Sequence, residues 1–594
     1  MKVLLSTLNS KFIHTNLAIR YIREYSRDLE GKEYKVDLKE YTINNSIDYI
    51  IKDIYKRKID ILAMSTYIWN IEDTIRLCEN LKKINPDLII ILGGPEVSYD
   101  YIDSINKYKC IDYILYGEGE RIYRELIENL LGKIDISKVR GIAYRKGGYA
   151  VENPPMPLIE NLNDIPSPYE NIDVREYENK IVYFESSRGC PFNCQYCLSS
   201  AIKGLRYFST DRIKRDLKNL IDARVSQIKF IDRTFNANRE IAKNIMRFLM
   251  ENDNGITTYH FEVTAHLIDD DMLHFLKNCK PGLFQFEIGV QSTNLQTLKA
   301  VGRYDDFKRL TKVVNTISSY RNIHQHLDLI AGLPYEDFDR FSQSFDDVFS
   351  LKSQCLQLGF LKMIKGTGIR ERSDEFDYVY KDYPPYEILS NKFMTYEQIL
   401  ELKDIEEILE IYYNSRNFSL SIEYLLERYY DSPFKFFREM ASYFNENGYF
   451  DLANAKNKLY EILLDFAKER VFKSKNKLIE NDIFNEVVKF DYISIGKVTS
   501  LPVFLNRIDV NDYKNKGHKF LQIEENQVKY TPNNEFQAAK NIIRHVHFEE
   551  FKYNIMDIKK DLKCKIEQRQ NTILFYYNID KIFEKSYAYE VILP

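Results

Sequence analysis

The sequence predicts an α/β protein: two successive stretches in which strands and helices take turns, followed by a mainly helical region ending in a small α/β unit. Residues 1–140 and 180–372 alternate short apolar runs with longer amphipathic ones, which is the pattern of parallel sheets covered by helices. Beyond about residue 375 the apolar spacing is helical instead. A chain of 594 residues needs several domains, and 44% hydrophobic with 14% aromatic residues can fill their cores. The formal charge of −4 argues against nucleic-acid binding through the overall field. No N-terminal signal run and no apolar run of the ~18 residues needed to span a membrane are visible, so a cytoplasmic protein is expected. Eight cysteines, three of them clustered, fit a reducing compartment.

In the first stretch the expected strands are Val3 to Ser6, Ile61 to Ser65, Leu88 to Leu92 and Tyr113 to Tyr116, and the helical runs include Leu17 to Leu29, Ile71 to Ile84 and Glu120 to Leu131. Ligands of such sheets bind past the carboxyl ends of the strands. Those ends supply Ser65 and Thr66, Gly93 and Gly94, and Gly117 and Glu118 as candidate binding residues, the glycines because they admit close backbone approach. Residues 141–179 read as a connector. Gly147-Gly148 marks a hairpin between Ile142 to Arg145 and Tyr149 to Glu152, and Pro154, Pro155, Pro157, Pro166 and Pro168 forbid regular helix.

The second stretch opens with an apolar strand, Ile181 to Phe184, and then E-S-S-R-G-C-P-F-N-C-Q-Y-C-L-S-S over 185–200. Cys190, Cys194 and Cys197 stand in a Cys-x3-Cys-x2-Cys frame on a Gly- and Pro-punctuated loop. Zinc would require a fourth protein ligand, and none follows nearby, whereas a four-iron cluster accepts three cysteines when one iron takes another ligand. The frame, with Tyr196 ahead of Cys197, resembles the motif of the radical S-adenosylmethionine superfamily. The resemblance implies a [4Fe–4S] cluster on these three cysteines, S-adenosylmethionine chelated to its open iron, and reductive cleavage to a 5′-deoxyadenosyl radical.

Five further strands, Ile228 to Asp232, Tyr259 to Val263, Phe284 to Gly289, Leu327 to Ile330 and Gln357 to Met363, bring the count to six, that of the superfamily's partial (β/α)6 barrel. By the same resemblance, K-F-I-D-R-T-F-N at 229–236 places Asp232 and Thr234 near the methionine amino group, and Glu262 near the ribose. E-I-G-V-Q-S at 287–292 and D-L-I-A-G-L-P at 328–334 place Gln291, Ser292 and Gly332 along the nucleoside. Each also has an ordinary reading, as a cap, a pair or a strand end. Cys279 and Cys355 read as buried apolar residues, and His260, His266 and His274 face different ways across a strand and a helix.

Upstream, L-G-G-P-E at 92–96 and D-Y-I-L-Y-G-E-G-E at 112–120 are similar to the Rossmann-like cobalamin-binding domain fused ahead of many radical S-adenosylmethionine enzymes. The Asp-x-His-x-x-Gly loop of better known cobalamin domains is missing, and His14 stands in I-H-T-N, so cobalamin is expected with no histidine on cobalt. The implied domains are 1–140 for cobalamin, 180–372 for the radical barrel and 373–594 as a region that would serve as a substrate lid. The implied activity is methylation of an unreactive carbon. The alternatives are a cyclisation, rearrangement or sulfur insertion in which cobalamin is a redox or structural cofactor, and a sensor without turnover. An external one-electron donor such as flavodoxin or ferredoxin is the implied partner.

In the last region, Tyr396 to Tyr412 and Ile422 to Tyr449 have helical spacing with dense aromatics, read as core. Lys468, Arg470, Lys473, Lys475 and Lys477 read as a solvated helix face. Tyr492 to Ile495, His545 to Phe548, Thr572 to Tyr577 and Tyr587 to Leu593 read as strands.

Overall fold

The structure is a computed structural model, and it describes all residues except 171–172, 202–203, 474–476, 507, 509–512, 532–535 and 578–584. The chain divides into two compact units, Met1–Asp337 with Gly359–Thr395, and Phe338–Leu358 with Tyr396–Pro594.

The first unit begins with β1 (Lys2–Asn9), β2 (Lys35–Thr42), β3 (Ile61–Ser65), β4 (Ile89–Gly93) and β5 (Tyr113–Leu115), parallel in the order β2-β1-β3-β4-β5. The central runs I-L-A-M-S and I-I-I-L-G are buried because helices cover both faces, and an apolar core lies on each side of the sheet. The sequence reading missed β2, K-V-D-L-K-E-Y-T, which lies at the sheet's edge and therefore alternates apolar with charged residues. The hairpin β6 (Ile142–Lys146) and β7 (Tyr149–Glu152), expected in the connector, adds to β5 antiparallel and completes a seven-stranded sheet. Gly147 and Gly148, both at positive φ, form its turn.

After a stretch rich in proline come β8 (Ile181–Phe184), the short antiparallel pair β9 (Ser187–Gly189) and β10 (Leu205–Tyr207), and then β11 (Gln227–Phe230), β12 (Thr258–Glu262), β13 (Phe284–Gln291), β14 (Ile323–Ala331) and β15 (Cys355–Phe360). The sheet order is β15-β14-β13-β12-β11-β8, six strands in sequence order as the sequence predicts. Along β13 and β14 every second residue is buried against the covering helices, leaving the alternate set to line the interior of the barrel.

The second unit packs helices Tyr396–Leu409, Ser419–Tyr429, Pro433–Glu446, Lys456–Phe466 and Lys477–Ser494 around buried aromatics that include Tyr412, Phe418, Phe437 and Phe444. The predicted helical run 422–449 is two helices, because Ser432 caps a new one whose first residue is Pro433. Tyr492 to Ile495, expected as a strand, instead falls at the end of the last of these helices, which is buried on several sides from Ile483 to Ile493, and that packing outweighs local β-propensity. The basic run does not form one helix face, since a wide helical turn ends at Val471 and a new helix starts at Lys477; Lys475 lies outside the described residues. Val546–Tyr553, Gln568–Tyr576 and Tyr587–Val591 form an antiparallel sheet. No helix among the described residues is long and apolar enough to cross a membrane.

Gly94 illustrates how the first sheet shapes its strand ends. Its φ of 104° and ψ of 172° are open only to glycine, and a Cβ there would press into the carbonyl oxygen of Thr66 and lie 2.9 Å from its nitrogen. The glycine is thus required by the neighbouring strand end before any ligand is considered. Gly94→Ala is expected to destabilise the cofactor-free chain by at least about 1–3 kcal/mol. Denaturant unfolding checks this, and an unchanged midpoint would refute it.

Candidate functional site

The two sheets of the first unit supply two adjoining cavities. The smaller, of about 130 Å³, is an apolar crevice in the first sheet, floored by Ser65, Gly93, Gly94 and Gly117 and walled by Leu5, Ile22, Leu115 and Tyr123. A Cβ at Gly93 would meet only ordinary van der Waals contacts, so there the missing side chain leaves room for a ligand, whereas Gly117, at φ 104°, is held to glycine by its backbone. Ser65 Oγ accepts a hydrogen bond from Asn16 Nδ2 at 3.1 Å. Thr66 is fully buried, and both its amide and its hydroxyl donate to Gly93 O. Glu118 faces elsewhere: Arg206 donates to both carboxylate oxygens at 2.6 and 3.1 Å, Ile159 N donates at 2.9 Å, and Arg188 lies at 3.4 Å. Burial pushes its carboxyl up, but Arg206, Ile159 N and Arg188 outweigh burial and hold it below the ordinary value.

The larger cavity, of about 700 Å³, opens between the strand ends of the first sheet and the mouth of the barrel. Asn9, His14, Tyr67, Trp69 and Glu96 line it from one side, and Tyr183, Arg188, Cys197, Lys229, Arg233 and Glu262 from the other. Tyr67 and Trp69 stack with centroids 4.5 Å apart and planes 3° from parallel, a flat aromatic wall. His14 Nδ1 lies 2.9 Å from the Tyr183 hydroxyl, and burial together with Lys11, Lys229 and Lys180 holds the imidazole below its ordinary value. Burial pushes Glu262 up, with Arg233 opposing. Of the candidate binding and cluster residues, Glu262 and Cys197 line the larger one. Ser65 and Gly94 line the crevice, and Cys194 and Gln291 line neither.

The cysteine loop leaves the barrel through β9 and returns through β10. Gly189 lies at φ 96°, and a Cβ there would strike Gly204 O, so both its backbone and its neighbour require glycine. Asp232, buried at the end of β11, accepts from Ser186 N at 3.0 Å and from the hydroxyls of Ser186 and Ser187 at 2.5 Å, so it fixes the entry to the loop. Thr234 Oγ1 is 3.5 Å from Cys190 Sγ. Three groups that sequence reasoning missed hold the loop's far side. Gln195 N donates to Val301 O at 2.8 Å, Ile369 N donates to Gln195 O at 2.9 Å, and Arg303 reaches the Tyr196 hydroxyl at 3.4 Å. Burial pushes the Cys194 thiol up while the Arg303 guanidinium pulls it down. No motif marks these partners; the glycines at 302 and 368, where a Cβ would run into Asn193 or Gln195, are the only trace in the sequence.

All eight cysteines are free thiols, so Cys190, Cys194 and Cys197 are available as soft donors. Among the described residues no three Cys, His, Asp or Glu side chains converge on one ion position. In a four-iron cluster each thiolate binds its own iron, so three soft donors spread along one loop suit the cluster and not a single ion. Ser292 and Gly332 lie behind the site: Ser292 Oγ donates to Glu336 at 2.6 Å, and Gly332 O accepts from Tyr378 and Asn391. His260, His266 and His274 are not gathered: His260 is 2.9 Å from Glu287, and His266 sits edge-on to Phe192. Cys279 is buried and Cys355 half-buried.

Below the mouth, the barrel interior is crowded with ionisable groups. Glu287 meets His260 at 2.9 Å and Lys229 at 3.2 Å, and these hold its carboxyl at about 2. His326, 2.9 Å from Gln285, is pushed down to about 4 by burial and by His260. Asp328, whose Oδ1 has no hydrogen-bond partner, is pushed up to about 8 by burial and by Glu287 and Glu262.

Comparison with known proteins agrees with this architecture. Residues 3–127 match the B12 binding domain family, 184–348 the Radical SAM superfamily, and 374–575 a protein family of unknown function, DUF4080. An uncharacterised methyltransferase of Pyrococcus horikoshii is 27% identical over 48% of this chain and 63% of its own length. The 2-(S-pantetheinyl)-carbapenam-3-carboxylate methyltransferase of Streptantibioticus cattleyicolor is 26% identical over 47% of this chain and 43% of its own. The anaerobic magnesium-protoporphyrin IX monomethyl ester cyclase of a Synechocystis strain is 28% identical over 44% and 53%. The chain thus spans less than two thirds of each of these relatives. The solved cobalamin-dependent S-adenosylmethionine radical enzyme OxsB, with aqua-cobalamin bound, shares the fold at a TM-score of 0.56 and 17% identity, over 83% of this chain and 80% of that one. The matched domains imply a [4Fe–4S] cluster, S-adenosylmethionine and cobalamin as cofactors.

Replacing Cys190, Cys194 and Cys197 together by Ala is expected to abolish iron incorporation during anaerobic reconstitution while cobalamin binding persists; iron and cobalt analysis of the two proteins checks this. For Asp328 the folded carboxyl keeps its proton where the unfolded one has lost it, so stability attributable to it falls as pH rises from 3.8 to about 8. Asp328→Asn should flatten that fall in unfolding experiments across this range, and an unaltered pH dependence would count against the assignment.

Proposed function

The chain belongs to the B12-binding radical S-adenosylmethionine proteins, and from that premise we propose that it is an enzyme that methylates an unreactive carbon. The observation that carries the proposal is the 700 Å³ cavity, lined at once by the strand ends of the cobalamin-binding sheet and by the mouth of the barrel. When bound, the cluster with S-adenosylmethionine supplies a carbon radical and cobalamin supplies a methyl carrier. The chain's own part is placement.

We assign Cys190, Cys194 and Cys197 to the iron atoms, with Asp232 orienting their loop through the two serines. Thr234 and Glu262, at the ends of β11 and β12, are assigned to S-adenosylmethionine; Ser65, Thr66, Gly93, Gly94 and Gly117 to the seating of cobalamin. Gln291, Ser292 and Gly332 act through the strand ends they shape. The flat pair Tyr67 and Trp69 excludes water from the shared volume and offers a stacking face. The domain limits 180–372 and 373–594 belong to the same proposal, with substrate selection given to the last, and the first domain, expected over 1–140, carries the hairpin to Glu152 with it. An external one-electron donor such as flavodoxin or ferredoxin completes the system.

Two of the three relatives named above are methyltransferases, which favours methyl transfer. The third is a cyclase, which keeps ring formation as the second reading. Incubation of the reconstituted enzyme with candidate substrates, a reductant and S-adenosylmethionine is expected to yield S-adenosylhomocysteine and 5′-deoxyadenosine in near-equal amounts with a methylated product. 5′-Deoxyadenosine formed with substrate turnover but without S-adenosylhomocysteine would reject methyl transfer in favour of the second reading.

A further inference from the structure

The loop that carries the three cysteines is closed by the two-stranded ribbon of β9 and β10, and the ribbon has an unusual cross-strand pair. Arg188 and Arg206 are direct register partners. Like charges directly opposed on antiparallel strands repel, and Arg188 is nearly buried, so water screens little of it. The compensation comes from the turn Gly117 to Glu120, at the end of β5 in the first sheet. Glu118 accepts from Arg206 at 2.6 Å and lies 3.4 Å from Arg188, so one carboxylate sits against both guanidinium groups. Glu120 accepts from Arg188 at 2.5 Å. Glu185, on the ribbon's own approach, lies 3.0 Å from Arg188, but burial raises its carboxyl to about 7, so it supplies only part of a charge.

Glu118 occupies the N-cap position of the helix Gly119–Leu130 yet makes no capping bond to it; its carboxylate is turned to the arginines and to Ile159 N in the connector. Glu120 lines both cavities. The two glutamates therefore stand where the cobalamin-binding sheet, the connector and the cysteine ribbon meet.

We infer that Glu118 and Glu120 are positioning residues for the cysteine loop: they hold the Arg188 and Arg206 pair closed, so that the ribbon is seated only when the cobalamin-binding sheet is docked on the barrel. The inference rests on the functional reading only for what the loop carries. It gives Glu118 and Glu120 a role in the seating of the cluster loop, in place of direct contact with cobalamin, and leaves Gly117 to the crevice.

The test is hydrogen exchange of the full chain at the amides of Ser187–Gly189 and Leu205–Tyr207. Charge-assisted bonds of this kind are worth enough that the double variant Glu118→Gln, Glu120→Gln should exchange there roughly tenfold faster or more. Adding Arg206→Gln, which removes the repulsion, should return the rates toward those of the unaltered chain. If the double variant does not fold, recovery of a folded protein in the triple variant supports the inference, and failure of the triple variant overturns it. Unchanged exchange in the double variant, or equally fast exchange in the triple, also overturns it. Cobalamin titration of the same proteins gives a second readout: binding retained in the double variant is expected, and binding lost with the ribbon undisturbed would make the glutamates ligand residues and end the inference. Iron content of the unaltered chain reports on the functional reading by itself, because the exchange comparison needs no cluster.

Discussion

Parallel sheets place all their strand carboxyl ends on one edge, and in the first unit two such edges enclose one volume. A parallel strand can reach its neighbour only through a crossover, so the residues after β1, β3, β4 and β5 come together although they are far apart in sequence. The same holds for β8, β11 and β12 of the barrel. The cavity follows from this geometry, and so does its chemistry: strand ends are where the backbone leaves the ladder and where polar residues can be accommodated. Its lining accordingly mixes Glu96, Glu120, Glu185 and Glu262 with Arg188, Lys229 and Arg233 and with aromatic walls.

Gathering so many ionisable groups in partly dry space has a cost, met in two ways. Some are paired, as Glu287 is with His260 and Lys229, and their carboxyls are held low. Others, such as Asp328, have no partner for one oxygen and are pushed toward the neutral form. A well-packed apolar barrel would be at least as stable, since buried ion pairs seldom repay their desolvation. Retaining this polar interior in a barrel of six strands is consistent with a space built around cofactors and substrate, where strain on stability is tolerated for chemistry.

What the sequence made legible was local. The cysteine frame, the apolar strands and the glycines at strand ends are short-range signals, and the six barrel strands and the central strands of the first sheet followed from them. Partners across long separations were not legible. Glu118 looked like a strand-end ligand residue until Arg206, 88 residues away, took both its oxygens. Asp232 looked like a group for an amino acid ligand, yet Ser186 and Ser187 occupy it. Gly94 was expected to make way for a ligand, and its first obligation is to Thr66. β2 was missed because an edge strand loses the continuous apolar run of its neighbours, and the helix through Tyr492 was misread because four residues are too few to tell one period from another.

These displaced assignments share a physical reason. A residue that grips a ligand must be held in place by something else, and the residues that hold it are chosen from the same few polar types as those that grip. Sequence motifs record both without separating them. Asp232 and the Ser186–Ser187 pair set the direction of the loop at its entry, Gln195 and Arg303 set its far side, and Thr234 is left near Cys190 with its hydroxyl donated to the carbonyl of Arg233. The loop is thus tied to β11, to the segment after β13 and to the segment after β15, three points spread around the barrel mouth. A loop fixed at three such points cannot shift toward one wall without breaking contact with another, which is the rigidity that three thiols sharing one cluster require.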